Sequence, residues 1–402
     1  MDTASTKTSK VAGKDEAKKN HNVAFLVIGI IGIIAGIICV ATVFLLPKEV
    51  LPDLDFPQIP TTITATKYYS NLTGVEVANE TDITAPTYCI QTPNGTDGAR
   101  PQAGLTEAGV VFEAIAEAGI TRFAAIYQQP TSAVIGPIRS LRIYYLQWDT
   151  PFDCTIVHAG GADDALAAVR AGGYKDLTEN YTYMYRGTYR VRLWNNLFTT
   201  AANLAQFSAD RGYTTSTVNG FTRMTPEVAL RDRVDANVSE KLIITEPAAA
   251  STSELGASVG SVFIRFGNWP NFNVRYNYNS TTNSYDRSYE SGAAHEVYDC
   301  PRENLGEVDP EKACTLRQVS PSVVVAMIVN EKKASDNYHE DIIAIGSGPV
   351  YIFQNGGVTT GTWTKGSVGE QIKFFDGNGT EIALVPGQTF VEAIPNYGGV
   401  EY

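Results

Sequence analysis

The sequence predicts an α+β protein. It places an N-terminal α/β domain with a mostly parallel or mixed sheet before a mostly antiparallel β-rich C-terminal domain, all on one transmembrane helix. Three observations predict this. A charge-free apolar run fills residues 23–46. Strand-like and helix-like runs alternate over about 84–240. From about 256 the runs turn short and β-branched or aromatic, with turn residues between them.

The run Val23–Leu46 has 24 residues and no charge. A helix of that length crosses a hydrocarbon core of about 30 Å. The tail 1–22 carries Lys7, Lys10, Lys14, Lys18 and Lys19, and a lysine bias keeps that end in the cytoplasm. The run is too long for a cleaved signal peptide, and no small-x-small site follows it. Gly36-Ile37-Ile38 before Cys39 does not read as a lipoprotein cleavage site. The expectation is an uncleaved signal anchor in a cell membrane, single-pass, with the N-terminus cytoplasmic and the domains extracytoplasmic. Residues 47–67 hold four prolines and read as an extended spacer.

The formal net charge is −12 over 402 residues. The tail sets five lysines against Asp2, Asp15 and Glu16, so the remainder carries about −14. That excludes a general nucleic-acid or anionic-surface binder, which needs a basic face. Cys89, Cys154, Cys300 and Cys314 lie beyond the apolar run, and an even number outside the cytoplasm permits disulfides. Cys300 and Cys314 bracket a short polar loop and are predicted to bond. Cys89 and Cys154 are either bridged or small buried residues. With no CxxC pair and no His/Cys cluster at metal spacing, neither metal nor cofactor is expected.

Within the N-terminal domain, 68–244, Thr87–Gln91 reads as a strand. Thr106 offers an N-cap for a helix over Glu107–Gly119. Arg122–Tyr127 reads as a strand, Ser140–Trp148 as a helix, Cys154–His158 as a strand and 162–172 as a helix. The stretch 245–258 reads as a hinge. The C-terminal domain, 259–402, shows strand runs such as SVFIRF, VRYNYN, SVVVAMIVN and PVYIFQ. Turn signals at Asn355-Gly356-Gly357, Asp376-Gly377-Asn378-Gly379 and Pro386-Gly387 separate its later runs.

The densest chemistry lies between 99 and 161. Arg100, Arg122, Arg139 and Arg142 stand near the ends of predicted elements, where open α/β sheets gather ligands. Guanidinium forks suit phosphate or carboxylate. Gly160 and Gly161 let a ligand approach the backbone. Gln102, Ser140 and Asn196 complete a candidate ligand-binding set. The competing reading pairs the arginines with Glu113, Glu117, Asp163 and Asp164, merely fixing the fold. Glu113 and Glu117, four apart, fall on one face of the predicted helix. Glu113 is either solvated there or aimed into the cleft as a base or arginine partner. His158, at a strand end before Ala-Gly-Gly, is either a core histidine or a base. His21, His295 and His339 look isolated. No Gly-x-Ser-x-Gly elbow, P-loop or dinucleotide fingerprint occurs. The aromatic stretch 181–198 reads equally as a stacking groove or as a loop packed across the sheet.

Several motifs in order carry a family resemblance: SNLTG (70–74), ARPQAGL, AGVVFEAIAEAGITRF, IGPIRS, VHAGG, GSGPVYIFQNGGVTTGTWTKG and ALVPGQTF. Over residues 70–395 the chain resembles the YerB-like family, a domain of unknown function with a distinct C-terminal domain. The resemblance implies a bacterial envelope protein, often a lipoprotein elsewhere, and supplies no activity. Family members tend to have Pro-His-Asn where this chain reads Trp194-Asn195-Asn196, which weakens the enzyme reading or shifts any base role to His158 or Glu113.

The function expected is a membrane-anchored binding or scaffolding protein of the cell envelope. Its arginine cleft would hold an anionic group, such as that of a wall or glycan precursor. The alternatives are an envelope phosphotransferase or hydrolase on the same cleft, and a purely structural use of the arginines. The layout is loosely similar to that of the LytR-CpsA-Psr phosphotransferases.

Overall fold

Val110–Glu117, the run expected to be helical, is a strand with all eight residues buried. Ala118 (φ 48°) and Gly119 (φ 77°) reverse the chain, and Ile120–Gln128 returns beside it antiparallel. Two successive positive φ values suit a tight hairpin, because their twist matches that of the strands. Burial on both faces erases the alternation of a half-exposed strand. The alanines and glutamates left behind imitate a helix. The α/β reading of this half is therefore overturned, and the described chain is mostly β.

The structure, a computed structural model, describes residues 66–188, 193–233, 259–300 and 309–402. The tail, the apolar run 23–46, the spacer up to residue 65 and the hinge expected at 245–258 lie outside the described residues. Among the described residues no helix is long and apolar enough to cross a membrane.

In the first half the main strands are β1 (Thr87–Pro93), β2 (Val110–Glu117), β3 (Ile120–Gln128), β4 (Thr155–His158) and β5 (Lys175–Thr178). The longer helices are α1 (Ile143–Asp149), α2 (Asp163–Arg170) and α3 (Ala201–Arg211). The second half adds β6 (Ser261–Arg265), β7 (Val274–Asn279), β8 (Ser284–Tyr289), β9 (Val323–Val329), β10 (Glu331–Lys333) and β11 (Glu340–Ile342). It ends with β12 (Gly346–Gln354), β13 (Gly357–Lys365), β14 (Lys373–Asp376), β15 (Thr389–Pro395) and β16 (Gly399–Glu401).

One ten-stranded sheet in the order β14-β13-β12-β9-β15-β2-β3-β1-β4-β5 takes strands from both halves. β9, β15 and β2 pair in parallel, as do β1, β4 and β5. β3 is antiparallel to both β2 and β1, so all six run the same way. Their carboxyl ends share one edge, the place where sheets of this kind collect ligand sites.

On one face, Tyr144, Tyr145 and Trp148 of α1 join Phe112 and Val325 in the core. Trp148 stacks on Phe112 at 5.4 Å, a contact worth about 1 kcal/mol beyond its buried area. The other face is covered by α3 and by a four-stranded sheet, β8-β7-β6-β16. Cys89 on β1 is bonded to Cys154, the residue before β4, and Cys300 is bonded to Cys314.

Candidate functional site

The site begins with a defect in β2. A bulge between Ile115 and Glu117 shifts the register against β3. Side chains alternate along a strand, so residues 113 and 117 would ordinarily share a face; one extra residue puts them on opposite faces. Glu117 turns towards α1 and Glu113 towards the four-stranded sheet. Tyrosines of α1 hold the bulge. The Tyr144 hydroxyl donates to the Ile115 carbonyl (2.8 Å), and the Tyr145 hydroxyl donates to the Arg122 carbonyl (2.6 Å).

Glu117 carries two guanidinium groups. Arg122 binds its Oε1, and Arg142 binds its Oε2 at 2.7 Å. Arg122 also donates to the Ser140 carbonyl (3.0 Å) and Arg142 to the Leu141 carbonyl (3.0 Å). All three side chains are buried. Burial, and then the charge of Arg142, push Arg122 down to about 10.

Arg139 is the third guanidinium, and it differs from the other two. It lies within electrostatic reach of Glu117, Asp97, Arg142 and Tyr338, yet its side chain makes no hydrogen bond among the described residues. Its buried Nε, like that of Arg142, has no partner, and burial pulls its pKa down. Asp97 is held instead by Trp194 Nε1 (2.8 Å) and Asn195 Nδ2 (3.1 Å).

Residues 139–142 run beside the exit of β4. Arg139 donates its amide to the Gln91 carbonyl (2.7 Å), Ala159 to the Arg139 carbonyl (3.0 Å) and Leu141 to the Gly160 carbonyl (3.0 Å). Gly160 has φ 68°, a conformation glycine adopts without strain. This brings Ser140, Gly160, Gly161 and His158 together with the three arginines. His158 is sealed. Its Nδ1 faces the Gly160 carbonyl (2.6 Å), and its Nε2 faces Asp176 Oδ1 (2.9 Å). Both nitrogens are engaged and the ring is buried, so neither nitrogen reaches a substrate.

Beside this cluster opens a cleft of about 740 Å³. Arg142, Tyr144, Gly161 and Asp164 line one side, and Lys332 and Asp336 of the β10–β11 hairpin line the other. The hairpin's charges pair among themselves: Lys332 with Asp341 (3.4 Å), Lys333 with Glu340, and His339 with Asp336 (2.5 Å). His339 also forms a β-bridge to Glu117.

The other expected site residues lie elsewhere. Glu113, fully buried, binds Arg287 of β8 and accepts from Asn94 Nδ2 (2.9 Å) and Thr121 Oγ1 (2.6 Å). Arg287 reaches Glu392 of β15 (3.8 Å), donates to the Tyr276 hydroxyl (3.0 Å) and donates to His295 Nδ1. His295, which looked isolated, donates Nε2–H to Gln102 Oε1 (3.1 Å). Burial and the adjacent Arg287 hold its pKa well down, so it is neutral. Arg100 donates to Asn94 Oδ1 (2.8 Å) and lies 3.9 Å over the Tyr289 ring. The four-arginine cleft is thus divided, with Arg100 and Gln102 beside the Glu113 network and apart from the other three. Asn196 is buried, accepting from Arg186 (3.0 Å).

Sequence reasoning missed Arg287, Glu392 and Asp97 as members of these networks. Their partners lie 174, 116 and 97 residues away, and no local spacing announces that. The one signal was a pair of charged residues, Asp286 and Arg287, inside the run SYDRSY.

The strand-end cluster gathers three arginines, Ser140, Gly160 and Gly161 on a mixed sheet without defining a chemistry. The chain belongs to the family described as protein of unknown function DUF3048: residues 72–214 match its N-terminal domain and residues 262–391 its C-terminal domain. It is 25% identical over 352 residues to a Bacillus subtilis (strain 168) protein named "Putative lipoprotein YerB", covering 87% of this chain and 90% of that one. The crystal structure of the YerB protein from Bacillus subtilis shares the fold, with a TM-score of 0.64 at 22% identity over 84% of this chain and 100% of that one.

Proposed function

We propose that this chain is an extracytoplasmic binding or scaffolding protein of the bacterial cell envelope, holding an anionic envelope component at Arg139. Arg139 carries the reading. It is a partly buried guanidinium with an unpartnered Nε, beside two arginines that already share Glu117. Two carboxylates, Glu117 and Asp97, lie within electrostatic reach of Arg139 for the three guanidinium groups, and the acids that line the cleft beside Arg142, Asp164 and Asp336 among them, stand further along it. A phosphate or carboxylate would supply the missing acceptor and offset the surplus charge.

Two disulfides support an oxidising compartment. The lipoprotein in the relative's name and the lysine-flanked apolar run 23–46 both support attachment to a membrane. An enzyme built on Glu113 or His158 would have to free a carboxylate locked to Arg287 and an imidazole whose two nitrogens both face acceptors. Binding needs neither.

The test is co-sedimentation of the full-length chain with isolated envelope polymer. Arg139→Gln removes one charge-assisted contact and is expected to weaken retention about 10-fold or more. Retention equal to that of the native chain overturns the reading.

A further inference from the structure

Glu331 opens the β10–β11 hairpin and is 6% exposed. Its Oε1 accepts from the Tyr397 hydroxyl (2.7 Å), while its Oε2 is buried with no hydrogen-bond partner. Tyr397 faces it from the turn after β15, Tyr144 from α1, and Glu340 and Lys333 from the hairpin itself. Lys333 is the one cation in this set, and it is bonded to Glu340. Burial raises the Glu331 pKa to about 7; the Tyr397 hydroxyl and Lys333 act against that, and Glu340 adds to it. A buried carboxylate with an unpartnered oxygen is costly unless it takes a proton.

The hairpin that begins at Glu331 lies against the arginine cluster. The backbone of its His339 bridges to that of Glu117, whose carboxylate Arg122 and Arg142 share. Its Tyr338 lies within electrostatic reach of Arg139. Its Lys332, Asp336 and Asp341 face Arg142 and Gly161 across the cleft.

We propose that the β10–β11 hairpin is a proton-controlled cover over the arginine site, closed while Glu331 carries a proton and released when Glu331 ionises. This concerns the regulation of the anion site and rests on that reading for its functional meaning. In a released hairpin Glu331 is solvated and titrates near its ordinary 4.5. The closed form therefore binds the proton more tightly. Its advantage is complete below pH 4.5, declines as pH rises and is gone above about 7.

The experiment is amide hydrogen exchange of residues 331–342 in the full-length chain at pH 5 and pH 8, corrected for the intrinsic chemical rate. Native protection is expected to fall on the order of 100-fold between the two. Glu331→Gln, a permanent mimic of the protonated acid, is expected to stay protected at both. Tyr397→Phe removes a bond that favours the carboxylate, so it is expected to move the fall to higher pH. Flat native protection overturns the proposal. So does a response that survives in Glu331→Gln, which keeps the loop's own His339–Asp336 pair. Exchange is read without ligand. A cover that responds while envelope retention ignores Arg139→Gln therefore counts against the anion site and leaves the cover standing.

Discussion

Glu113 and Glu117 stand on one strand, one residue of bulge apart in face, and their surroundings are opposites. On the sealed side, one guanidinium, Arg287, serves two carboxylates, Glu113 and Glu392. On the side beside the cleft, one carboxylate serves Arg122 and Arg142, with Arg139 close by. The excess charge can be removed on only one side. Burial and the charge of Glu113 push the Glu392 carboxyl well up, so a proton can offset its charge without outside help, and Arg100 at the edge of that network adds a further cation. Arg122, even pushed down to about 10, stays charged at neutral pH. A surplus of acid is cured by a proton from water; a surplus of arginine needs an anion.

The comparison is broken most forcefully by removing one cation from each side. Arg287→Met leaves Glu113 fully buried without its partner and is expected to cost about 3–5 kcal/mol. Arg142→Met leaves Glu117 with Arg122 and is expected to cost clearly less, about 1–2 kcal/mol. Urea unfolding midpoints measure both, and equal losses would erase the distinction.

A smaller effect sharpens it. Glu392→Gln imitates the protonated acid and is expected to change stability by less than about 1 kcal/mol at pH 7. The sign of its pH dependence follows from the raised carboxyl. The stability tied to that proton is fully present below the ordinary 4.5 and is lost as pH climbs towards the raised value. The native midpoint is therefore expected to fall, as pH rises above the ordinary 4.5, more steeply than that of Glu392→Gln. Parallel curves would mean that Glu392 is ionised throughout.

Much of this was legible in the chain. β9 and β12 announced themselves by β-branched and aromatic runs. α2 fell inside the helix expected over 162–172, and α1 overlapped Ser140–Trp148 from Ile143 on. The grouping of Arg122, Arg139, Arg142, Ser140, Gly160 and Gly161 followed from their places at element ends. β2 was not legible, because burial on both faces removes the pattern that reports a strand. The bulge was not legible either, and it alone decides which glutamate meets which arginines. Arg100 joined the wrong group for the same reason. Residues near in sequence were assigned to one cleft, and the sheet placed them on two faces.

The central claim is that the Glu117 cluster holds cationic capacity in excess of its own acid. It is tested most directly by calorimetric titration of the full-length chain with inorganic pyrophosphate at low salt, comparing the native chain with Glu117→Gln and Arg139→Gln. Removing the competing carboxylate is expected to tighten binding several-fold, and removing the unengaged guanidinium to weaken it about 10-fold. Affinity that is the same in all three chains, or that falls in Glu117→Gln, would contradict the account.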